Sequence, residues 1–169
     1  TGKNVIGVGA TETFNRDLIE SEFQFNSNPE EIMKKEFPGD PICSARGWTY
    51  DNRIKPDVVA PGEDVISTKG TSNYGITGGT SMSTPNVAGQ AAVIVDWYES
   101  NYGVKPSPAM VKALLINTAN DLGGNTGPIP NKDEGWGIVD ISKLERPKNN
   151  PVPFTLEDQK RLLSTGESE

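Results

Sequence analysis

The stretch that decides the fold is residues 78–89, which read Gly-Gly-Thr-Ser-Met-Ser-Thr-Pro-Asn-Val-Ala-Gly. Two adjacent glycines predict a tight turn, and the small and apolar residues after them predict a helix, with Ser81 at the junction. Because unpaired N–H groups at a helix start stabilise negative charge, this position suits a nucleophile.

Three interpretations of Ser81 compete on these residues alone. A phosphate-binding loop would need a lysine that reaches the phosphates, and this stretch has none. The nucleophile elbow G-x-S-x-G fails at its last position, where Ser83 replaces the second glycine. The third interpretation is a serine that merely caps a helix, and it is the favoured one for Gly79-Thr80-Ser81 taken without its neighbours.

The segments on either side of this stretch predict an α/β fold. Residues 5–10 are β-branched and glycine-rich, which indicates a buried strand in a parallel sheet. Residues 54–62 predict a short strand closed by Pro-Gly, and residues 65–68 predict another. The helix after Ser81 is expected to run to about Tyr98 and, with apolar residues on more than one face, to be largely buried. A second helix is predicted to start at Ser107-Pro108, an N-cap followed by proline.

Composition limits the class of protein. The chain has 169 residues, enough for one domain with a core, and its net charge of −7 argues against a nucleic-acid partner. It has no stretch long and apolar enough for a membrane span, and the acidic residues 11–42 indicate a solvated surface excursion with a helix start at residues 28–31. Cys43 is the single cysteine, which excludes an intrachain disulfide, and the chain has no histidine to activate it.

The longer string around Ser81 resembles a known motif. Residues 79–89 are similar to the nucleophile motif of the subtilisin-like serine proteases, G-T-S-M-A-x-P-x-V-A-G, and depart from it only at Ser83. Residues 55–62 resemble the strand and turn before the nucleophile, residues 5–10 a preceding strand, residues 44–47 the S-S-R-G turn, and residues 135–137 the closing G-x-G. The order of these segments, spanning residues 5–144, matches the family order.

The resemblance implies a three-layer fold, with a mostly parallel sheet flanked by helices, and a serine endopeptidase activity on polypeptide substrates. Ser81 would be the nucleophile and its N–H an oxyanion donor. Gly78, Gly79, Thr80 and Met82 would lie beside the substrate cleft, and oxidation of Met82 could hinder turnover. The family also implies secretion to the extracellular space. Calcium is common in the family, but no convincing ligand set is found in this sequence, and no metal site or cofactor is assigned.

The departure from the family is the absence of histidine. In subtilisins the triad order is Asp, His, Ser, and neither Asp57 nor Asp64 lies in the catalytic aspartate motif. We therefore expect residues 1–146 to be the C-terminal portion of a catalytic domain, residues 147–153 a Pro-rich linker, and residues 154–169 the start of a following domain or a tail. The expected partner is the N-terminal half of the domain, or a second copy of the chain. The alternative function is a catalytically inactive scaffold that binds peptides.

Overall fold

The fold is described from a computed structural model, which covers residues 4–12, 44–63, 65–123 and 126–144, together with Leu156 and Asp158. Eight elements and a final short helix follow one another in this part of the chain: strands β1 (Val8–Thr11), β2 (Gly47–Trp48), β3 (Ile54–Lys55), β4 (Val58–Pro61), β5 (Val65–Lys69) and β6 (Asn73–Thr77), helices α1 (Thr80–Tyr102) and α2 (Pro108–Thr118), and a 3-10 helix (Ile141–Leu144). Several predictions lie outside the described residues, namely those on Cys43, Asp64, the helix start at residues 28–31 and the linker 147–153.

A parallel pair of strands forms the centre of the fold. Strands β1 and β4 run parallel, with Val8 opposite Val58, and residue Ile138 adds a parallel bridge on the other side of Val59. The side chains of Val58 and Val59 are fully buried, because parallel strands are covered on both faces. The predicted α/β class and its parallel sheet are confirmed, although β1 begins three residues later than the predicted strand.

Helix α1 packs one side against this sheet and leaves another side uncovered. Val87, Ile94 and Tyr98 are buried and join Val58 and Ala60 of β4 in the main core. The prediction that this helix is largely buried is wrong for the described chain. One face is exposed to solvent, and its apolar and small residues are Ala88, Gly89, Ala92 and Val93, the last 52% exposed.

Helix α2 starts as its sequence predicts. Ser107 is the N-cap, its hydroxyl accepts a hydrogen bond from the Met110 N–H at 3.1 Å, and Pro108 takes the first helical position. Leu114 and Leu115 are buried in the same core as α1. Asp158, near the C-terminus of the chain, also contacts this cap. Its carboxylate accepts hydrogen bonds from the Ser107 N–H at 2.6 Å and from the Ser107 hydroxyl at 2.5 Å.

The predicted strand over residues 54–62 is divided into two. Strand β3 pairs antiparallel with β2, whereas β4 pairs parallel with β1. Pro56 lies between them and has no N–H to give to a ladder, so one continuous strand cannot form there. The predicted strand at residues 65–68 is confirmed as β5, which forms an antiparallel hairpin with β6.

A network of charged side chains centred on the buried Asp57 links β3, α2 and the residues just before β1. The Asp57 carboxylate forms ion pairs with Lys55 and with Lys112 of α2, the latter at 2.8 Å, and accepts the Gly7 N–H at 2.6 Å. Burial, the largest single effect, raises the pKa of Asp57, but the hydrogen bonds from Lys112, Lys55 and Gly7 together hold it below its usual value. Asp57 therefore stabilises the fold by holding Lys55, Lys112 and the Gly7 backbone together, and this structural role agrees with its exclusion from the predicted triad.

Candidate active site

Ser81 is the second residue of α1 and is exposed to solvent. The turn before it depends on Gly79, whose φ of 137° is a conformation that L side chains rarely adopt. The helix is 23 residues long, and its first turn carries no acidic side chain. The positive end of its dipole is therefore not neutralised locally and lies beside the Ser81 hydroxyl.

Backbone hydrogen bonds hold this turn against the end of β4. The Gly79 N–H donates to the Gly62 carbonyl at 2.6 Å, and the Gly79 carbonyl accepts the Met82 N–H at 2.9 Å. Within the described part of the chain, the Ser81 N–H donates to no acceptor. That N–H is therefore free to meet an oxyanion that forms next to the Ser81 hydroxyl.

The other predicted cleft residues directly precede or follow Ser81 in the chain. Gly78, Gly79, Thr80 and Met82 are all half-buried. The Thr80 carbonyl accepts the Thr84 hydroxyl at 2.8 Å, a bond one turn along the helix. These residues are consecutive in the sequence, and their roles in substrate binding stay predictions.

The usual general base of a serine nucleophile, a histidine, is not found in this sequence. Asp57 is buried in its own ion-pair network. Among the described residues, no group of three or more His, Cys, Asp or Glu side chains is placed so that it could hold a metal ion. No helix in the same part of the chain is long and apolar enough to cross a membrane.

Two residues that the sequence did not assign to the site, Gly62 and Ser83, lie next to each other at the turn before Ser81. The sequence pattern predicts only the end of a strand at Gly62, and Ser83 is only a small replacement in the motif. Ser83 is fully buried, and its hydroxyl has no hydrogen-bond partner within the described residues. The departure of Ser83 from the motif is the one signal in the sequence that could have pointed to its position next to Gly62.

The unpartnered hydroxyl gives a prediction about stability. We expect Ser83→Ala to raise the free energy of unfolding by about 1 kcal/mol, because a buried polar group without a partner is destabilising. Ser100→Ala, at an exposed position of the same helix, measures the part due to helix propensity alone. Urea unfolding of the three chains checks this, and an equal change in both variants would contradict it.

The comparisons with known proteins agree with the fold. The model of the subtilase family, peptidase S8, matches residues 1–137. The chain therefore belongs to the subtilase family.

Named relatives in this family are proteases. C5a peptidase from Streptococcus pyogenes is 31% identical over 133 residues, which are 76% of this chain and 11% of that protein. The subtilisin-like protease SBT4.3 of Arabidopsis thaliana is 30% identical over 135 residues, which are 70% of this chain and 18% of that protein. The chain thus spans between about a tenth and a fifth of the length of these relatives.

A solved structure extends the likeness to three dimensions. The CspB protease of Clostridium perfringens superposes with a TM-score of 0.59 at 26% identity, over 86% of this chain and 28% of that protein. The family model, the relatives and this structure agree in assigning the chain to the subtilase family.

Proposed function

We propose that this chain supplies the nucleophile of a subtilisin-like serine endopeptidase, and that the catalytic histidine and aspartate come from polypeptide outside its sequence. One observation carries the proposal: Ser81 is exposed at the start of a long helix, and its own N–H is free within the described residues. Membership of a family whose named relatives are proteases supports it.

The geometry supports an acyl-enzyme mechanism. The Ser81 oxygen attacks the carbonyl carbon of a peptide bond, and its proton passes to the histidine. The charge that develops on the carbonyl oxygen meets the Ser81 N–H and the positive end of the α1 dipole. The intermediate collapses to an ester on Ser81 as the histidine protonates the leaving amine, and water then hydrolyses the ester.

The uncovered face of α1 supports the proposal that the catalytic histidine lies on another polypeptide segment. This face starts near Ser81 and continues through Ala88, Ala92 and Val93, which are exposed. Because Ala88, Gly89 and Ala92 are small, another backbone could approach the helix closely there. We propose that the remaining catalytic segment packs on this face, or that a second copy of the chain does so in its absence. Sedimentation as a strict monomer, alone and with that segment, would contradict this proposal.

The proposal extends to substrate and location. The substrate is a polypeptide, and the half-buried residues beside Ser81 form part of its cleft. An extracellular location rests on the family resemblance alone, and fractionation that finds the parent protein inside the cell would contradict it.

Substitution of Ser81 tests the proposed function. In the chain assembled with the segment that carries the histidine and aspartate, we expect Ser81→Ala to lower kcat for a peptide substrate by about a million-fold. Ser100→Ala is the matched control on the same helix and should hydrolyse the peptide as the parent does. Equal hydrolysis by Ser81→Ala would contradict the protease proposal, whereas an assembled parent chain that binds the peptide without hydrolysing it would favour the peptide-binding scaffold.

A further inference from the structure

Gly62 connects the turn before Ser81 to the central sheet through both of its backbone polar groups. Its N–H donates to the Thr11 carbonyl at the end of β1 at 2.9 Å, and its carbonyl accepts the Gly79 N–H at 2.6 Å. The turn is therefore two hydrogen bonds away from β1. Any shift of Gly62 relative to the sheet moves the residue from which α1 begins.

The space around Gly62 is closed on the side where a side chain would lie. A Cβ atom added to Gly62 would lie 2.2 Å from the Ser83 hydroxyl oxygen, 2.8 Å from the Ala10 Cβ and 2.8 Å from the Gly79 carbonyl oxygen. Ala10 and Ser83 are both fully buried. Since such contacts are too short for real Cβ atoms, an alanine there forces its neighbours to shift, and two of the three, Ser83 and Gly79, belong to α1 and to the turn before it.

From these contacts we infer that Gly62 is a positioning residue for the Ser81 nucleophile, with Ser83 as its packing partner on the helix. This inference rests on the proposed function. Gly62 touches neither substrate nor the reacting atoms, and it acts by fixing how close the Gly79 turn lies to β4. A displacement of the nucleophile by a fraction of an ångström affects the chemical step more than it affects substrate binding.

The first test compares two glycine-to-alanine variants, one at Gly62 near the start of α1 and one at Gly103 just after its end. In the enzyme assembled with its histidine-bearing segment, Gly62→Ala should lower kcat by about a hundredfold, with KM changed far less. Gly103→Ala is the control, because Gly103 follows the other end of α1 with a φ of 71° and nothing within 4 Å of an added Cβ. Gly103→Ala should lower Tm while leaving kcat unchanged. Equal kcat values for the two variants would overturn the inference.

A second pair of variants approaches the same contact from the helix. Ser83→Thr adds a methyl group at the fully buried partner position and should reproduce the selective loss of kcat. Ser83→Ala removes the oxygen that an added Cβ would meet, so Gly62→Ala/Ser83→Ala should recover about tenfold of the loss. Ser83→Thr and the double variant keep the inference testable if Gly62→Ala does not fold. The inference is wrong if Ser83→Thr has the kcat of the parent and the double variant recovers none of the lost kcat.

A readout that does not need activity separates this inference from the proposed function. The amide NMR signals of Gly79 and Ser81 in the 169-residue chain should shift in Gly62→Ala and stay in place in Gly103→Ala. If they do so while the assembled wild-type enzyme shows no Ser81-dependent hydrolysis, the link between Gly62 and the turn stands and the protease proposal fails. If hydrolysis depends on Ser81 but the signals do not move, the positioning inference fails alone.

Discussion

Alone, the 169-residue chain is expected to hydrolyse a quenched fluorescent peptide at no more than the background rate. Ser81 has no histidine to accept its proton anywhere in the sequence, and in subtilisin the loss of the histidine alone lowers kcat by about a million-fold. The Ser81 N–H, which donates to no acceptor within the described residues, and the dipole of α1 remain, but they act on an oxyanion that forms only after the serine attacks.

Addition of the histidine-bearing segment as a separate polypeptide should restore hydrolysis. The exposed face of α1 offers that segment a surface of small residues that begins close to Ser81. Fluorescence assays with increasing amounts of the segment measure the recovery, and the Ser81→Ala chain is the control for contaminating proteases. Vigorous hydrolysis by the chain without any partner would contradict this expectation.

The second large effect is on stability. We expect Asp57→Asn to lower the free energy of unfolding by about 3 kcal/mol, because removal of one member of a buried ion-pair network leaves its partners uncompensated. The side chains of Lys55 and Asp57 are about one-tenth exposed, and Lys112 reaches the same carboxylate from α2. Asp96→Asn, at an exposed position of α1, should change the unfolding free energy far less.

The contribution of Asp57 should depend on pH in a definite direction. Its pKa is lowered in the folded chain, whereas in the unfolded chain it is about 3.9. The stability that its ionised form provides is therefore fully present above pH 5 and disappears as the pH falls through the lower folded-state pKa. Urea unfolding from pH 7 to pH 2 should show the wild type and Asp57→Asn converging below about pH 4, and a constant difference would contradict this assignment.

Local sequence predicted the elements whose causes are local. The N-cap Ser107 with Pro108, the glycine turn before Ser81 and the β-branched strand at β1 were foreseen, since each depends on a few consecutive residues. The motif around Ser81 was long enough to indicate the family, which the match over residues 1–137 confirms. Its roles in catalysis remain predictions.

Features that depend on distant residues could not be predicted. Lys112 lies 55 residues after its partner Asp57, and nothing in the sequence near Asp57 indicates which cation reaches it. Similarly, Gly62 ends a strand by sequence pattern, but its contact with Ser83 exists only because β4 and α1 meet. The exposed side of α1 was missed because apolar residues around a helix indicate burial without saying which chain covers them.

The central claim is that Ser81 is the nucleophile, and the most direct test is covalent labelling. The chain assembled with its histidine-bearing segment is treated with a fluorophosphonate, a reagent that phosphonylates activated serines, and the modified peptide is identified by mass spectrometry. We predict one adduct on Ser81, absent when the segment is omitted and absent in Ser81→Ala. An adduct on another residue of this chain that forms equally in Ser81→Ala, or an active assembly in which Ser81 stays unlabelled, would contradict the account.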